Sequence, residues 1–156
     1  MRLTQFSDYS LRVLLYAAEH SERLVTISEM AEFHAISRSH LTKVVVHLSN
    51  AGFLQSIRGR SGGLRLARAP AAIRVGEVLR STEDDQRLVE CFGPAAPQAC
   101  RLMPGCRLAR ALQQALQQFF EPLDALSLAD LARPQGAAEA VVGWSAAGGF
   151  APSPGA

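Results

Sequence analysis

Apolar residues recur at helical spacing near the start of the chain. The segment "SDYSLRVLLYAAEH" places Tyr9, Val13, Tyr16 and Ala17 along one face. This spacing predicts an amphipathic helix, because residues three and four positions apart share a helix face. Ser7 precedes the apolar residues and is the predicted N-cap of this helix.

Two more helices are predicted next. The segment "TISEMAEFHAIS" begins with Thr26 and has Glu29 three residues later, which is the pattern of a capping box. Its predicted apolar face consists of Ile27, Met30, Ala31 and Phe33. In "SRSHLTKVVVHLSNAGFL", Ser37 is the predicted N-cap, and Gly52 is expected to end the helix in the left-handed conformation. Two short helices joined by a tight turn form the helix-turn-helix layout.

The segment "FLQSIRGRSGGLRLAR" alternates apolar and polar residues on both sides of a glycine-rich centre. Alternation is typical of strands, and Gly59, Gly62 and Gly63 supply the backbone freedom that a hairpin tip requires. The pattern predicts a two-stranded wing that carries arginines at its tip and ends at Pro70. The segment "IRVGEVLRST" then predicts another short helix.

A long amphipathic helix is predicted from Cys106 onward, in "CRLARALQQALQQFFEPLDAL". Its apolar stripe comprises Leu108, Ala109, Leu112, Ala115, Leu116, Phe119, Phe120 and Leu123. The stripe has no obvious mate in so small a chain, so we expect it to pair with its copy in a second subunit. Pro122 is expected to end or kink the helix, and "SLADLA" is expected to add one turn.

Charge is distributed unevenly along this pattern. Between Glu32 and Glu77 there is no acidic residue. The basic residues of that stretch are Arg38, Lys43, Arg58, Arg60, Arg65, Arg68 and Arg74. Residues 81–156 carry five basic and eight acidic residues, a net charge of −3. A polyanion such as nucleic acid is the partner that this distribution favours, with a solvated basic face or a protein-binding winged helix as the alternatives.

The winged-helix layout identifies candidate residues for contact with DNA. In this layout the second helix lies in the major groove, and the wing lies against the backbone or the minor groove. The candidates are Ser37, Arg38, Ser39, His40, Thr42 and Lys43 on the helix and Arg58, Arg60 and Arg65 on the wing. Hydroxyls and lysine suit phosphates or base edges, and an arginine can bind a guanine through two acceptors or enter a narrow minor groove.

The predicted fold is mainly α-helical, with a winged helix-turn-helix DNA-binding domain, a two-stranded wing, a cysteine loop and a long dimerisation helix. We expect the DNA-binding domain to span residues 1–82, the cysteine loop 83–106, the dimerisation helix region 107–133 and a disordered tail 134–156. The tail is predicted because fifteen of its 23 residues are Gly, Ala or Pro.

All the cysteines of the chain, Cys91, Cys100 and Cys106, lie in one segment that prolines and glycines interrupt. Their C-x8-C-x5-C spacing is neither the C-x2-C pair of zinc ribbons nor the cysteine run of ferredoxins. Three thiolates on an irregular loop can still converge on one centre, so a metal or a cluster is one interpretation. A redox thiol switch and three unconnected cysteines are the others.

Several other classes of protein are not indicated. The sequence has no evident Ser/His/Asp set, phosphate loop or paired carboxylates, so no enzyme is expected. No apolar run approaches the ~20 residues of a membrane span, and the N-terminus lacks a signal-peptide layout. An odd number of cysteines argues against a disulfide framework. We therefore expect a cytoplasmic protein with no membrane partner.

Three pieces of the chain resemble one known family over about residues 1–133. They are "MRLTQFSDYSLRVLLYAA", "ISRSHLTKVVVHLSNAGFLQSIRGRSGGLRLA" and the three-cysteine loop before a long helix. The family is that of the iron–sulfur winged-helix regulators, and the chain most resembles its NsrR branch of nitric-oxide-sensitive repressors. The resemblance implies a homodimer bound to a palindromic operator in double-stranded DNA, with an iron–sulfur cluster in each subunit. It further implies that operator DNA is released when nitric oxide nitrosylates the cluster, for which [4Fe–4S] is favoured over [2Fe–2S].

The resemblance also implies a set of cluster ligands. The three cysteines map onto the thiolate ligands of the family, which makes 83–106 a cluster-binding loop. The IscR branch has a histidine three residues after the last cysteine, but this chain has Ala109 there. The NsrR branch instead implies a carboxylate near the N-terminus of the partner subunit, and Asp8 fits that position. Arg12, one helical turn later on the same face, is expected to hold Asp8 or the cluster environment in place. The alternative role for Asp8 is to cap the first helix.

Two other functions stay open on the sequence alone. One is an iron–sulfur or redox-thiol regulator that responds to cluster supply or to oxidative stress. The other is a zinc-stabilised winged helix that binds protein.

Overall fold

A computed structural model of the chain describes residues 2–83, 85, 87–93, 100, 102 and 105–132. The described part is mainly helical, as predicted. Its helices are α1 Gln5–Glu19, α2 Ile27–His34, α3 Arg38–Asn50, α4 Val75–Thr82, α5 Arg107–Ala125 and α6 Leu128–Leu131. Its strands are β1 Leu54–Ile57 and β2 Gly63–Leu66, and short 3₁₀ turns occupy Pro70–Ala72 and Glu90–Phe92.

Helices α2 and α3 form the predicted helix-turn-helix. The capping box of α2 is present, with the Thr26 side chain accepting from the Glu29 backbone N–H and the Glu29 carboxylate accepting from that of Thr26. Ala35 ends α2 in the left-handed conformation, with φ of 53°, and the buried Ile36 follows. Ser37 caps α3, as predicted, by accepting from the backbone N–H of His40. The turn is thus held by a hydroxyl at each helix start and a buried residue between them.

The start of α1 differs from the prediction. Thr4, not Ser7, is the N-cap, and its hydroxyl oxygen accepts from the Ser7 backbone N–H at 3.2 Å. Ser7 lies inside the first turn and is fully buried. Its hydroxyl instead contacts Thr82 and Glu83 at the end of α4. The sequence signal was ambiguous because both residues are hydroxyl side chains near the helix start.

Strands β1 and β2 form the predicted wing as an antiparallel pair in which Leu54 lies opposite Leu66 and Ile57 opposite Gly63. Two glycines allow close backbone approach at its tip. A Cβ on Gly62 would collide with the Ile57 carbonyl oxygen, and one on Gly63 would lie 2.8 Å from that of Val25. The Gly63 contact lies beside the bridge in which Val25 and Leu64 exchange backbone hydrogen bonds.

The main core lies between α1, α2, α3 and the wing. Val13 and Leu14 of α1 meet Met30 of α2 and Leu41 and Leu48 of α3, and all five are fully buried. Phe33 departs from the predicted apolar face, because it is 65% exposed and lies outside the core, where its ring contacts Tyr16 and His34.

Helix α5 corrects two expectations. Its C-terminal half does have a mate in the same chain, because Phe120 is buried against Val75 and Leu79 of α4. In its N-terminal half, Ala109 is buried, Leu112 is half-buried and Leu108 is 64% exposed. Of the two effects expected of Pro122, ending the helix is excluded, because α5 continues to Ala125. A proline removes only one backbone donor, and this residue lies on an exposed part of the helix where water can serve the freed carbonyl. The "SLADLA" segment adds the predicted turn, α6.

The predicted tail, 134–156, lies outside the described residues. None of the described helices is long and apolar enough to cross a membrane.

Candidate DNA-binding surface and candidate cluster site

Helix α3 separates its two faces sharply. One face is buried in the core through Leu41, Val44, Val45 and Leu48. The opposite side is exposed and includes all six helix residues that the sequence predicted for DNA contact: Ser37, Arg38, Ser39, His40, Thr42 and Lys43. Packing therefore fixes the helix by its apolar face and leaves its hydroxyl and basic side chains in solvent.

The wing carries its three predicted arginines on exposed positions. Arg58 and Arg60 lie at the hairpin tip, beside Gly59, whose φ of +122° is a conformation open to glycine. Arg65 lies opposite Gln55 in the ladder, and its Nε donates to the Gln55 side-chain oxygen at 3.0 Å. This bond orients Arg65 across the strand surface, whereas the tip arginines extend from the turn.

The acid-free stretch contains two kinds of basic residue. Arg68 donates to Glu77 at 2.8 Å and lies over the Phe53 ring, and Arg74 donates to the Ala125 carbonyl at 2.9 Å. These two arginines serve the fold. Within the described residues, no carboxylate or other hydrogen-bond acceptor is found for the side chains of Arg38, Lys43, Arg58 and Arg60. Their charge therefore remains available to a polyanion.

The three cysteines lie on different local structures. Cys91 is in the Glu90–Phe92 turn, Cys106 is the N-cap of α5, and Cys100 lies between them in the chain. All three are free thiols and half-buried. The Cys106 Sγ accepts from the Ala109 backbone N–H at 3.4 Å, so Ala109 contacts this thiol through its backbone. In the described residues, no group of three or more His, Cys, Asp or Glu side chains is close enough to hold a metal ion.

Asp8 and Arg12 form an ion pair one turn apart on α1. Arg12 Nε donates to Asp8 Oδ1 at 3.0 Å, and the second oxygen lies 3.0 Å from the Arg12 Nη2. Both side chains are 47% exposed. Because Thr4 is the N-cap, the capping role considered for Asp8 is not used in this fold. Its carboxylate is held at the surface by one exposed arginine, an interaction of small net strength.

The Asp8–Arg12 pair borders a cleft of about 380 Å³ between α1 and the helix-turn-helix. The other wall of this cleft includes His34, Ala35 and Ile36, which are the end of α2 and the turn before α3. Burial, aided by the positive charge of Arg12, holds the pKa of His34 below its usual value. The ion pair thus lies against the segment that sets the direction of α3.

Glu83 connects the start of α1 to the end of α4. Its Oε1 accepts from the Thr4 backbone N–H at 2.8 Å, from the Thr4 hydroxyl at 3.1 Å and from the Ser7 hydroxyl at 2.6 Å. Burial opposes its ionisation, but these hydrogen bonds outweigh burial and keep the pKa of Glu83 below its ordinary value. Glu83 is also the first residue of the cysteine segment, so the segment starts from a point tied to the helix that bears Asp8.

Sequence reasoning missed this network and one residue of α3. No local pattern links Glu83 to Thr4, 79 positions away. Val46 was hidden in the run "VVV", although a period of 3.6 places the third valine away from the two buried ones, and it is 54% exposed.

Known proteins are similar to this chain in both sequence and fold. The sequence pattern of the Rrf2 family, described as an iron-dependent transcriptional regulator, matches residues 3–134. The chain is 46% identical over 132 residues to the HTH-type transcriptional regulator NsrR of Bacillus licheniformis, covering 84% of this chain and 92% of the relative. It is 47% identical over 132 residues to the regulator of the same name from Geobacillus kaustophilus, covering 84% and 89%.

Solved structures agree on the architecture. T. potens IscR matches with a TM-score of 0.65 at 24% identity, over 84% of this chain and 85% of that chain. CymR, the global cysteine regulator of B. subtilis, matches with a TM-score of 0.63 at 26% identity, over 85% and 96%. The predicted winged-helix fold and the resemblance to the NsrR branch are both confirmed, and these relatives are transcriptional regulators rather than enzymes. The chain belongs to the Rrf2 family of transcriptional regulators.

Proposed function

We propose that this protein is a homodimeric repressor that binds a palindromic operator, senses nitric oxide through an iron–sulfur cluster and releases the operator on exposure to nitric oxide. The observation that carries the proposal is the exposed, acid-free surface of α3 and the wing, in a chain that is 46% identical to a regulator named NsrR. The cysteine segment and Asp8 supply the sensing part.

The DNA-binding part of the proposal rests on the exposed basic residues of α3 and the wing. Arg38 and Lys43 of α3 and the wing residues Arg58, Arg60 and Arg65 would contact phosphates or base edges. Two copies would place their α3 helices in successive major grooves, about 34–36 Å apart, as a palindromic site requires. The exposed hydroxyls of Ser37, Ser39 and Thr42 and the ring of His40 lie on the same side of the helix and would add polar contacts.

The proposal of a homodimer rests on two incompletely buried leucines in the N-terminal half of α5. Leu108 is 64% exposed and Leu112 is only half-buried, although both lie on one apolar stripe with residues that pack on α4. A second copy of α5 would cover them, as in antiparallel or parallel pairs of amphipathic helices.

The residues fit an iron–sulfur cluster by their chemistry. Cys91, Cys100 and Cys106 are free and half-buried, and thiolates are the usual ligands of such clusters. Asp8 of the other subunit would complete the set, which we propose to hold [4Fe–4S]. When bound, the cluster supplies iron that reacts with nitric oxide. An oxygen ligand from a surface carboxylate is weaker than a thiolate, so this fourth position is the one most easily lost.

The chain's own residues would pass this change to the DNA-binding surface. Asp8 and Arg12 share a cleft with Ala35 and Ile36, which directly precede α3. A different position of the Asp8 carboxylate would change its pairing with Arg12 and the packing of α1 against that turn. The spacing of the two α3 helices would then no longer match both half-sites, and affinity would fall because simultaneous binding is lost.

The central test uses full-length protein purified without oxygen and titrated with nitric oxide. Visible absorbance and binding to a duplex enriched from a random-sequence library are followed together. We expect a coloured protein whose absorbance and duplex affinity fall in parallel. A colourless protein that binds the duplex equally well before and after nitric oxide would overturn the sensing proposal, and zinc without acid-labile sulfide would favour the zinc-stabilised alternative.

Two variants assign the ligands. Cys100→Ala should abolish both the colour and the response to nitric oxide. Asp8→Asn should keep the protein coloured but alter its absorbance and its sensitivity to nitric oxide. Asp85→Asn is the matched control, because Asp85 is also an exposed aspartate paired with an arginine, and it lies in the cysteine segment itself. If Asp85→Asn and Asp8→Asn behave alike, Asp8 has no special role.

A further inference from the structure

Val46 is an apolar side chain in the middle of a polar surface. The exposed residues of α3, a helix that the structure describes throughout, are Arg38, Ser39, His40, Thr42, Lys43, Val46 and Asn50. Val46 follows Thr42 by four residues, Lys43 by three and Ser39 by seven, so all four share the side of the helix that faces away from the core. Its side chain is 54% exposed.

Folding does not account for a valine at this position. The side chain lies outside both apolar clusters of the structure. Valine is also a poorer helix former than alanine, because its branched Cβ loses rotamer freedom in a helix. An exposed valine that belongs to neither apolar cluster and weakens its own helix is explained by a partner that contacts it from outside.

Thr42 extends the apolar patch. Its hydroxyl donates to the Arg38 carbonyl at 2.8 Å, one turn earlier in the helix. The hydroxyl proton is therefore already used, and Thr42 offers its surroundings a methyl group and oxygen lone pairs. Thr42 and Val46 thus place methyl groups one turn apart on the surface that also carries Lys43.

We propose that Val46, supported by the Thr42 methyl group, contacts the 5-methyl group of a thymine in each operator half-site. In the major groove this methyl group is the one apolar feature that a base pair presents, and side-chain methyl groups are its usual partners. The inference rests on the proposed function, because it applies only if α3 lies in the major groove. It deepens that function by naming a base and the residue that reads it.

The test removes one methyl group from the DNA at a time. Full-length protein, purified without oxygen, enriches its sites from a random library of duplexes of about 30 base pairs, long enough for two half-sites one turn apart. Each dT of the enriched duplex is then replaced by dU, which keeps every hydrogen-bonding group. We expect one symmetrical position at which the replacement weakens binding about two- to fourfold per half-site, the loss that follows from exposing one buried methyl group.

Protein variants assign the contact to Val46. Val46→Ala should weaken binding to the dT duplex by up to a similar factor and should lower the dT/dU affinity ratio toward one, with the Thr42 methyl group keeping any remainder. Leu131→Ala also removes an exposed aliphatic side chain, but from α6, and should leave the dT/dU ratio unchanged. Thermal unfolding of the variants checks that each is folded.

The outcomes separate this inference from the proposed function. If no duplex is enriched, the proposed DNA-binding function fails and the inference fails with it. If a duplex is enriched but every dU form binds as tightly as the parent, the thymine contact alone is wrong. If Val46→Ala keeps the full dT/dU ratio, another residue reads the methyl group, and the assignment to Val46 is overturned.

Discussion

The winged-helix region and the region that follows it differ in how their helices are capped and in how far their apolar side chains are buried. Up to Thr82, three helices are capped by hydroxyl oxygens and share one apolar core. From Glu83 onward, the long helix α5 is capped by the sulfur of Cys106, a weak acceptor. On its apolar stripe, Leu108 is exposed and Leu112 is half-buried. The first region buries most of its large apolar side chains in its own core, whereas the second leaves free thiols and the exposed Leu108 for other groups to cover. The following substitutions measure that difference.

The largest effect is expected inside the first region. Leu48→Ala removes a fully buried side chain from the core face of α3 and should lower the free energy of unfolding by about 2–5 kcal/mol. Val46→Ala, two residues away on the exposed face, should leave it unchanged or slightly raise it. Urea denaturation measures both, and similar losses for the two variants would mean that the faces of α3 are not distinct.

The contact between the two regions should be nearly as sensitive. Phe120 is buried against Val75 and Leu79, and the Arg80 guanidinium lies 4.2 Å from the centre of its ring. Phe120 lies in a smaller cluster than Leu48 and is slightly exposed, so Phe120→Ala should cost about 3 kcal/mol if α4 and α5 unfold together with the core. A second, earlier transition in the calorimetric trace with an unchanged main transition would show that the regions unfold separately.

A smaller effect should appear only with pH. The pKa of Glu29 falls from 4.5 to about 2, chiefly because Arg23 donates to its carboxylate; burial opposes the shift, and Tyr16 adds a bond of 2.7 Å. A depressed pKa in the folded state means that this stabilisation is present above about pH 4.5 and is lost as pH falls toward about 2.

The variant Glu29→Gln should therefore be less stable than the unmodified protein at pH 6, by about 1 kcal/mol after allowance for the partial exposure of the pair. The difference should shrink as the pH falls below 4.5. Thermal unfolding at a series of pH values measures it. A stability difference that stays constant down to pH 2 would contradict the assigned interaction.

The smallest effect on the free energy of unfolding is expected at the N-terminal end of α5, where an apolar side chain is exposed. Leu108→Ala removes a 64% exposed side chain and should change the free energy of unfolding by no more than about 0.5 kcal/mol. It should nevertheless weaken self-association, measured by analytical ultracentrifugation. Gln117→Ala, on the opposite side of the helix, is the control and should leave association unchanged.

Local signals account for what the sequence predicted well. The helix-turn-helix, the wing and two of the caps depend on residues within a few positions of one another, such as Thr26 with Glu29 and the glycines beside Arg60. The same holds for the exposure of the basic residues, since apolar periodicity fixes which face of α3 is buried.

Long-range contacts account for what it did not. The contacts of Thr4 and Ser7 with Glu83 were not predicted, because the partners lie 79 and 76 positions apart in the sequence. The packing of Phe120 on α4 depends on where two helices meet, which periodicity alone does not specify. The convergence of Cys91, Cys100 and Cys106 stays a prediction, because in the described residues these thiols form no metal-binding group.

The triple acceptor at Glu83 has a consequence for amide hydrogen exchange. The Thr4 backbone N–H precedes α1 and has no partner within that helix, so its protection from exchange depends on Glu83. The exchange rate of this one amide therefore reports whether Glu83, at the beginning of the cysteine segment, is hydrogen-bonded to the start of α1. The resonance of a single amide near the N-terminus can thus show whether a segment that begins 79 residues later is in its folded position.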